Sequence, residues 1–191
     1  MLTLVRAGLA AALIALACIP ASVSASAADK AFKRSDLDDA AIKLEAQIKA
    51  DAGTVTKSAA TLRHDADAAF QKNDYRTGMT VLGQLVTVAP NDATNWLRLA
   101  RTVRQIYPRD DRERALLLDR ATTAAYIAYQ RATARDVEAD GLGLLGQIFA
   151  DRKMWRPALD SMRLALDLRE SADLRGRYER LRADYGFRML D

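Results

Sequence analysis

The sequence predicts an all-α protein: a stack of about three helical hairpins, preceded by a leading helix and closed by a capping helix. Three observations carry this expectation. Alanine, leucine and arginine dominate a chain of 191 residues with only 4 prolines, and no long segment sustains the period-2 alternation of a half-buried strand. Apolar residues recur instead at helical spacing. A hairpin-sized pattern also repeats, with Trp96 standing 34 residues after Leu62 among similarly placed small and large residues.

The N-terminal 27 residues stand apart from that pattern. Met1 to Arg6 is a short positive start, Ala7 to Ile19 is an unbroken apolar run, Pro20 ends it, and Ala25-Ser26-Ala27 offers small residues for cleavage. The run is short of the roughly 20 residues that span a bilayer, so residues 1–27 read as a cleaved secretory signal peptide. A lipid anchor at Cys18 would want a large aliphatic residue three places earlier, where Ala15 stands. Cys18 therefore reads as part of the apolar run, and the mature chain has no cysteine for disulfides, thiol catalysis or thiolate metal sites. The expected location is periplasmic or secreted, with no membrane span in the mature chain.

Residues 28–57 form the leading helix and a linker. Ser35 is its expected N-cap, with Asp36, Asp38 and Asp39 in the first turn; Leu37, Ala41, Leu44 and Ile48 make one apolar stripe, and Gly53 ends the helix. The hairpin domain follows over residues 58–184. Leu62, Ala66 and Ala69 belong to its first helix, Asn73-Asp74-Tyr75 to the turn, and Gly78, Leu82, Leu85, Val86 and Val88 to the second helix. Pro90 closes the unit, because proline cannot continue a helix.

The second hairpin restarts at Trp96, Leu99 and Ala100. Tyr107-Pro108 stops its first helix and Asp110-Asp111 caps the next. That helix carries Ala115, Leu118, Thr122, Ala125, Tyr129 and Ala132 as a stripe reaching about Ala134, longer than the roughly 14 residues a regular repeat helix uses. The third hairpin is displaced accordingly, with Leu142, Leu145, Gly146 and Phe149 on one helix and Ala158, Met162, Ala165, Leu166 and Leu168 on the other. Ala172 to Asp184 is the capping helix, with Leu174, Tyr178 and Leu181 on one face. Gly186 then ends the helix, and residues 185–191 alternate like the first strand of a following β-domain that is missing or truncated here.

Charge and reactive residues narrow the function. The chain has 29 Lys+Arg against 25 Asp+Glu, but base and acid interleave, as in Arg109-Asp-Asp-Arg-Glu-Arg114 and Arg175-Gly-Arg-Tyr-Glu-Arg180. Interleaved charge is a solvated helix face laced with ion pairs, and a nucleic-acid surface would cluster base without acid. The single histidine, His64, lacks the companions that zinc or general-base chemistry needs. Gly141-Leu-Gly143-Leu-Leu-Gly146 follows no strand and reads as close packing of two helices rather than a phosphate loop. Trp96 and Trp155 fall on packing positions. No catalytic, cofactor or metal site is expected.

These spacings resemble the tetratricopeptide repeat, a 34-residue helical hairpin. The resemblance implies a right-handed solenoid whose first helices line a concave groove for protein or peptide segments. Carried over position by position, that groove comprises Arg63, Asp67, Phe70 and Gln71, then Leu97, Arg101, Arg104 and Gln105, then Gln147 and Asp151. Arg101 and Arg104 sit one turn apart and are expected to face one ligand's acids. The asparagines by which some repeat proteins clamp a C-terminal carboxylate are absent.

A second resemblance covers most of the mature chain. Asn95-Trp-Leu-Arg-Leu-Ala-Arg-Thr-Val103, Asp110-Asp-Arg-Glu-Arg-Ala-Leu-Leu-Leu-Asp-Arg120, Trp155-Arg-Pro-Ala-Leu159 and Tyr178-Glu-Arg-Leu-Arg182 are similar to the N-terminal helical leader of bacterial α2-macroglobulin-like proteins. That resemblance implies a non-enzymatic part, or truncated product, of a periplasmic protease inhibitor, with a neighbouring domain of the parent protein as one partner. The family's thioester motif and β-sandwich domains are absent. The alternative is a free-standing periplasmic scaffold for envelope machinery.

Overall fold

The computed structural model describes residues 34–188. Among them are eight helices and no strand: α1 Arg34–Ala52, α2 Ala59–Gln71, α3 Tyr75–Val88, α4 Ala93–Gln105, α5 Asp111–Arg131, α6 Arg135–Asp151, α7 Trp155–Leu168 and α8 Ala172–Arg188. The protein is all-α. The signal-like segment 1–27, with Cys18, lies outside the described residues, as do residues 189–191 of the expected strand. None of the described helices is long and apolar enough to cross a membrane.

Helix boundaries recur along the chain. A shift of 34 residues carries α2, Ala59–Gln71, onto α4, Ala93–Gln105. A shift of 80 residues carries α3, Tyr75–Val88, onto α7, Trp155–Leu168. The turns before α3 and α7 share one backbone device. Asn73 and Lys153 both adopt left-handed φ, at 56° and 60°, and the next amides, of Asp74 and Met154, donate to the carbonyls of Ala69 and Phe149. Such a residue after a helix satisfies carbonyls that the last turn leaves open.

Side-chain caps set the starts of α2, α3, α4 and α5, whereas α6 and α7 start without one. Ser58 accepts from Thr61 N, Asp74 from Thr77 N, Asp92 from Thr94 N and Asp110 from Glu113 N. Glu113 also accepts from the Arg109 amide at 2.6 Å and pairs twice with Arg76, at 2.8 and 3.1 Å. These contacts tie the α4–α5 loop to the start of α5 and α5 to α3, and Arg76 adds a third hydrogen bond, to the Tyr107 carbonyl of the loop at 3.2 Å. Ser35 lies inside α1, one residue past its start, rather than capping it.

From α2 to α8 each helix packs on the next, and α4 also touches α6. Their shared core contains Leu62, Leu82, Leu85, Trp96, Leu99, Ile127 and Ile148, all nearly or wholly inaccessible; each such aliphatic side chain contributes about 1.5–3 kcal/mol by leaving water. The leading helix α1 buries Leu37, Ala41, Leu44 and Ile48, but against α3 and α5 rather than against α2, its neighbour in the chain. Gly53, at φ +58°, ends α1.

Helix α5 departs from a single apolar stripe. Ala121 to Ala128 are all buried, because α1, α4 and α6 surround that half, and a helix covered all round need not be amphipathic. Ala115, placed on the expected stripe, is exposed, and the helix ends at Arg131 rather than near Ala134. Val88 is likewise 42% exposed at the end of α3.

The C-terminal end also differs from expectation. Helix α8 runs through Gly186 to Arg188, so Gly186 does not end it and Phe187 and Arg188 are helical rather than extended. A β-carbon at Gly186 would meet nothing within 4 Å, and a glycine this near a helix end costs only part of the usual ~1 kcal/mol. Two apolar–polar alternations are too short to override that helix.

Candidate functional site

The expected groove residues lie on α2, α4 and α6, whose contacts bring charged side chains from adjacent hairpins together. Arg63 Nη2 donates to Asp92 Oδ2 at 3.0 Å, tying α2 to the cap of α4. Asp67 accepts from Arg98, and the Arg98 guanidinium stands 5.7 Å from the centre of the Phe70 ring. Phe70 itself packs against Gly78, where a β-carbon would collide with the ring, and its ring centre is 6.3 Å from that of Tyr75. Gln71 and Gln105 are exposed.

Helix α4 explains which residues reach the face. Packing by α3, α5 and α6 buries Ala93, Asn95, Trp96, Leu97, Leu99, Ala100, Thr102 and Val103. Leu97 is 3% exposed and belongs to the core, so it does not line a groove. The open strip is Thr94, Arg98, Arg101, Arg104 and Gln105. Arg98 replaces Leu97 as the residue that α4 presents, and the spacing 94, 98, 101, 105 of polar residues on one helix face was its signal in the sequence.

The two arginines expected to meet a ligand are bound within the chain. Arg101 Nη2 donates to Asp140 Oδ2 at 2.9 Å, and Asp140 also receives Arg169. Arg104 donates from Nε to Asp151 at 2.8 Å and from Nη1 to Gln147 Oε1 at 2.8 Å. These pairs are part-exposed, so each contributes at most about 1 kcal/mol; Arg101 and Arg104 tie α4 to α6, and Arg169 ties the end of α7 to α6. An incoming carboxylate would have to displace Asp140 or Asp151.

Arg104, Gln147 and Asp151 are nonetheless brought to one place. They form a wall of an open cleft of about 410 Å³, with Met162 of α7 in its floor and Asp173, Arg177, Arg180, Leu181 and Asp184 of α8 opposite. Arg177 pairs with Asp173 at 3.0 Å; Arg180 and Asp184 make no ion pair with the described residues. The four charged α8 residues were not among the expected groove residues, although their spacing of four, three and four places them on one helix face. Arg63, Asp67, Phe70, Gln71 and Arg101 do not line this cleft. The cleft thus sets side chains of both charges around the buried Met162 and Leu181.

The strongest electrostatic perturbation lies elsewhere. The Arg76 guanidinium, then the Arg109 amide, hold the Glu113 carboxyl down at about 2. Arg175 lowers the Glu170 carboxyl in the same way. Among the described residues no three His, Cys, Asp or Glu side chains gather as a metal-holding group, and His64 is exposed on α2. The glycines of α6 serve packing. A β-carbon at Gly146 would lie 2.5 Å from Met162 Cγ and 2.9 Å from the Ala158 carbonyl oxygen, and one at Gly141 would lie 3.2 Å from the Tyr129 backbone. Compared with known families and curated proteins, the chain matches no family model and no curated protein.

Proposed function

We propose that this chain is a non-catalytic interaction module, a right-handed solenoid of three tetratricopeptide-like hairpins that binds a protein or peptide segment. The recurrence of helix boundaries carries the reading: α2 and α4 coincide under a 34-residue shift, and α3 and α7 under an 80-residue shift. Repeated hairpins of this kind stack into extended surfaces suited to partner binding. The cleft between α4, α6, α7 and α8 is the proposed seat of the segment, with Arg180 and Asp184 as the side chains free to engage it and Arg104, Gln147 and Asp151 as its wall.

The segments similar to the helical leader of α2-macroglobulin-like proteins support a setting for the module. It is the N-terminal part, or a truncated product, of a periplasmic protease inhibitor, exported by the signal-like residues 1–27. The partner in that setting is a neighbouring domain of the parent protein. A free-standing periplasmic scaffold is the alternative, and the DNA immediately downstream discriminates: a continuation encoding β-domains, in frame or frame-shifted, selects the first.

The binding reading is tested by capture from envelope extract with wild type and with Arg180→Glu, which disturbs no ion pair among the described residues. The captured partner is then purified and its footprint mapped by amide hydrogen exchange. Protection confined to α6 and α8, with binding weakened in the variant, is the expected result. Equal capture by both folded proteins removes the cleft from consideration.

A further inference from the structure

The position of α1 carries an inference that does not depend on the cleft. Among α2 to α8 each helix packs on its chain neighbour, whereas α1 passes over α2 to lie in the channel between α3 and α5. It fills that channel with one apolar stripe, Leu37, Ala41, Leu44 and Ile48. Its flanks are acidic and are met by donors from α5. Asp38 accepts from Tyr126 Oη at 2.7 Å and from Gln130 Nε2 at 2.9 Å, Glu45 from Arg131 Nη2 at 2.7 Å, and Asp51 lies 3.6 Å from Arg120 Nη2.

The channel therefore has the properties of a helix-binding site: an apolar floor, and cationic and hydroxyl donors along one rim. The tie between ligand and site is one short polar segment. Gly53 opens it in the left-handed region, and Lys57 and Ser58 anchor its far end on α2, through Asp65 at 2.7 Å and the Thr61 amide at 3.1 Å. Rotation about Gly53 to Thr56 frees α1 at the cost of its contacts with α3 and α5 and the packing of Val55. All of the helix contacts can be remade, unchanged, on another copy of the same chain. Exchange of an identical element is a low-cost route to dimers.

We infer that the channel between α3 and α5 accepts α1 from a second copy of this chain, so that two copies exchange their leading helices. The lone-copy arrangement and the exchanged one share the same stripe and the same acid–donor pairs; they differ in the linker path and in the entropy of association, so concentration selects between them.

Energy transfer between two populations of the full chain tests the exchange. Both carry Cys18→Ser. One has a donor dye on Ile42→Cys, a position 69% exposed on the outer face of α1, and the other an acceptor on Leu116→Cys, 61% exposed on α5. After mixing, transfer that rises with concentration and is lost when the donor copy also carries Leu44→Asp is the expected result. Absence of transfer up to the solubility limit overturns the inference. Transfer that survives Leu44→Asp also overturns it, because copies then associate with α1 undocked. If Leu44→Asp does not fold, a synthetic peptide of residues 34–52 replaces it: excess peptide fills the channel and abolishes transfer, and transfer undiminished by the peptide counts against the exchange.

Discussion

Arg104 Nε lies 2.8 Å from Asp151 Oδ2, so an arginine that α4 was expected to offer a ligand is already held by α6. The pair belongs to a line of inter-hairpin bridges with Arg63–Asp92, Arg98–Asp67 and Arg101–Asp140. Reversing one charge is expected to destabilise by about 1 kcal/mol, the upper range for part-exposed pairs. Arg104→Glu should therefore lower the denaturant midpoint slightly, and Arg104→Glu with Asp151→Arg should restore most of the loss. A double variant no better than the single one would mean that the bridge contributes nothing to register.

Glu113 couples the α4–α5 loop to pH. Its carboxyl titrates near 2 in the folded chain against 4.5 for an unperturbed glutamate. A depressed folded value means that the stabilisation is fully present above the unfolded value and is lost as pH falls from about 4.5 toward about 2. Glu113→Gln should melt below wild type at neutral pH, and the gap should close through that window. A gap that stays constant down to pH near 2 would assign the effect to packing rather than to ionisation.

Two glycines in helices should respond with opposite sign to alanine. At Gly83 a β-carbon would sit 3.8 Å from Ile48 Cγ2, an ordinary contact, so Gly83→Ala should stabilise by about 0.5–1 kcal/mol through helix propensity. At Gly146 the carbonyl of Ala158 would be 2.9 Å away and belongs to backbone that cannot swing aside. Overpacking there should outweigh propensity and cost about 1–3 kcal/mol. Thermal melts of the pair decide, and a stabilised Gly146→Ala would contradict the close approach of α6 and α7.

The all-helical class and the packing of consecutive helices were legible because that packing is local. Leu62 and Ala66 share one core with Leu82 and Leu85 across a three-residue turn, and helical spacing marks each of them. The 34-residue interval placed Trp96 in the core, because it carries α2 onto α4. What the sequence could not place depended on contacts distant along the chain. Leu97 is buried because α3, α5 and α6 enclose α4 on three sides, and no pattern within α4 announces that. Eight consecutive buried residues in α5 follow from the packing of α1 against it across 86 to 88 residues of chain, as Arg131–Glu45 and Tyr126–Asp38 show. The groove arginines misled for a related reason. A ligand-facing arginine and one bridged to Asp140 look alike in a helix, and the acid that claims it lies 39 residues further on.

Charge placed inside the third hairpin should disrupt it. Ala165 is fully inaccessible and Leu145 nearly so, and Ala165 faces the α6 glycine Gly143. An unpaired buried carboxylate costs several kcal/mol, comparable to the stability of a domain. Ala165→Glu and Leu145→Asp are each expected to unfold the C-terminal half, seen as lost helical dichroism and lost amide protection over α6 to α8. Melts within a few degrees of wild type would contradict the packing.

The two left-handed turn residues yield the most discriminating pair of substitutions. Asn73 and Lys153 occupy equivalent places before α3 and α7, at φ of 56° and 60°, and both are exposed. Asparagine tolerates this conformation because its short polar side chain bonds locally, whereas the lysine β-carbon crowds the following carbonyl at roughly 1–2 kcal/mol. Glycine removes that crowding but gives the unfolded chain more freedom, which offsets part of the gain. Lys153→Gly should therefore stabilise by about 0.5–1 kcal/mol, while Asn73→Gly should change stability by only a few tenths. Equal shifts for the two, measured by thermal or denaturant unfolding, would show that the turns are not energetically equivalent versions of one device. A larger gain at Lys153 supports a common turn in which one copy carries the favoured residue and the other does not.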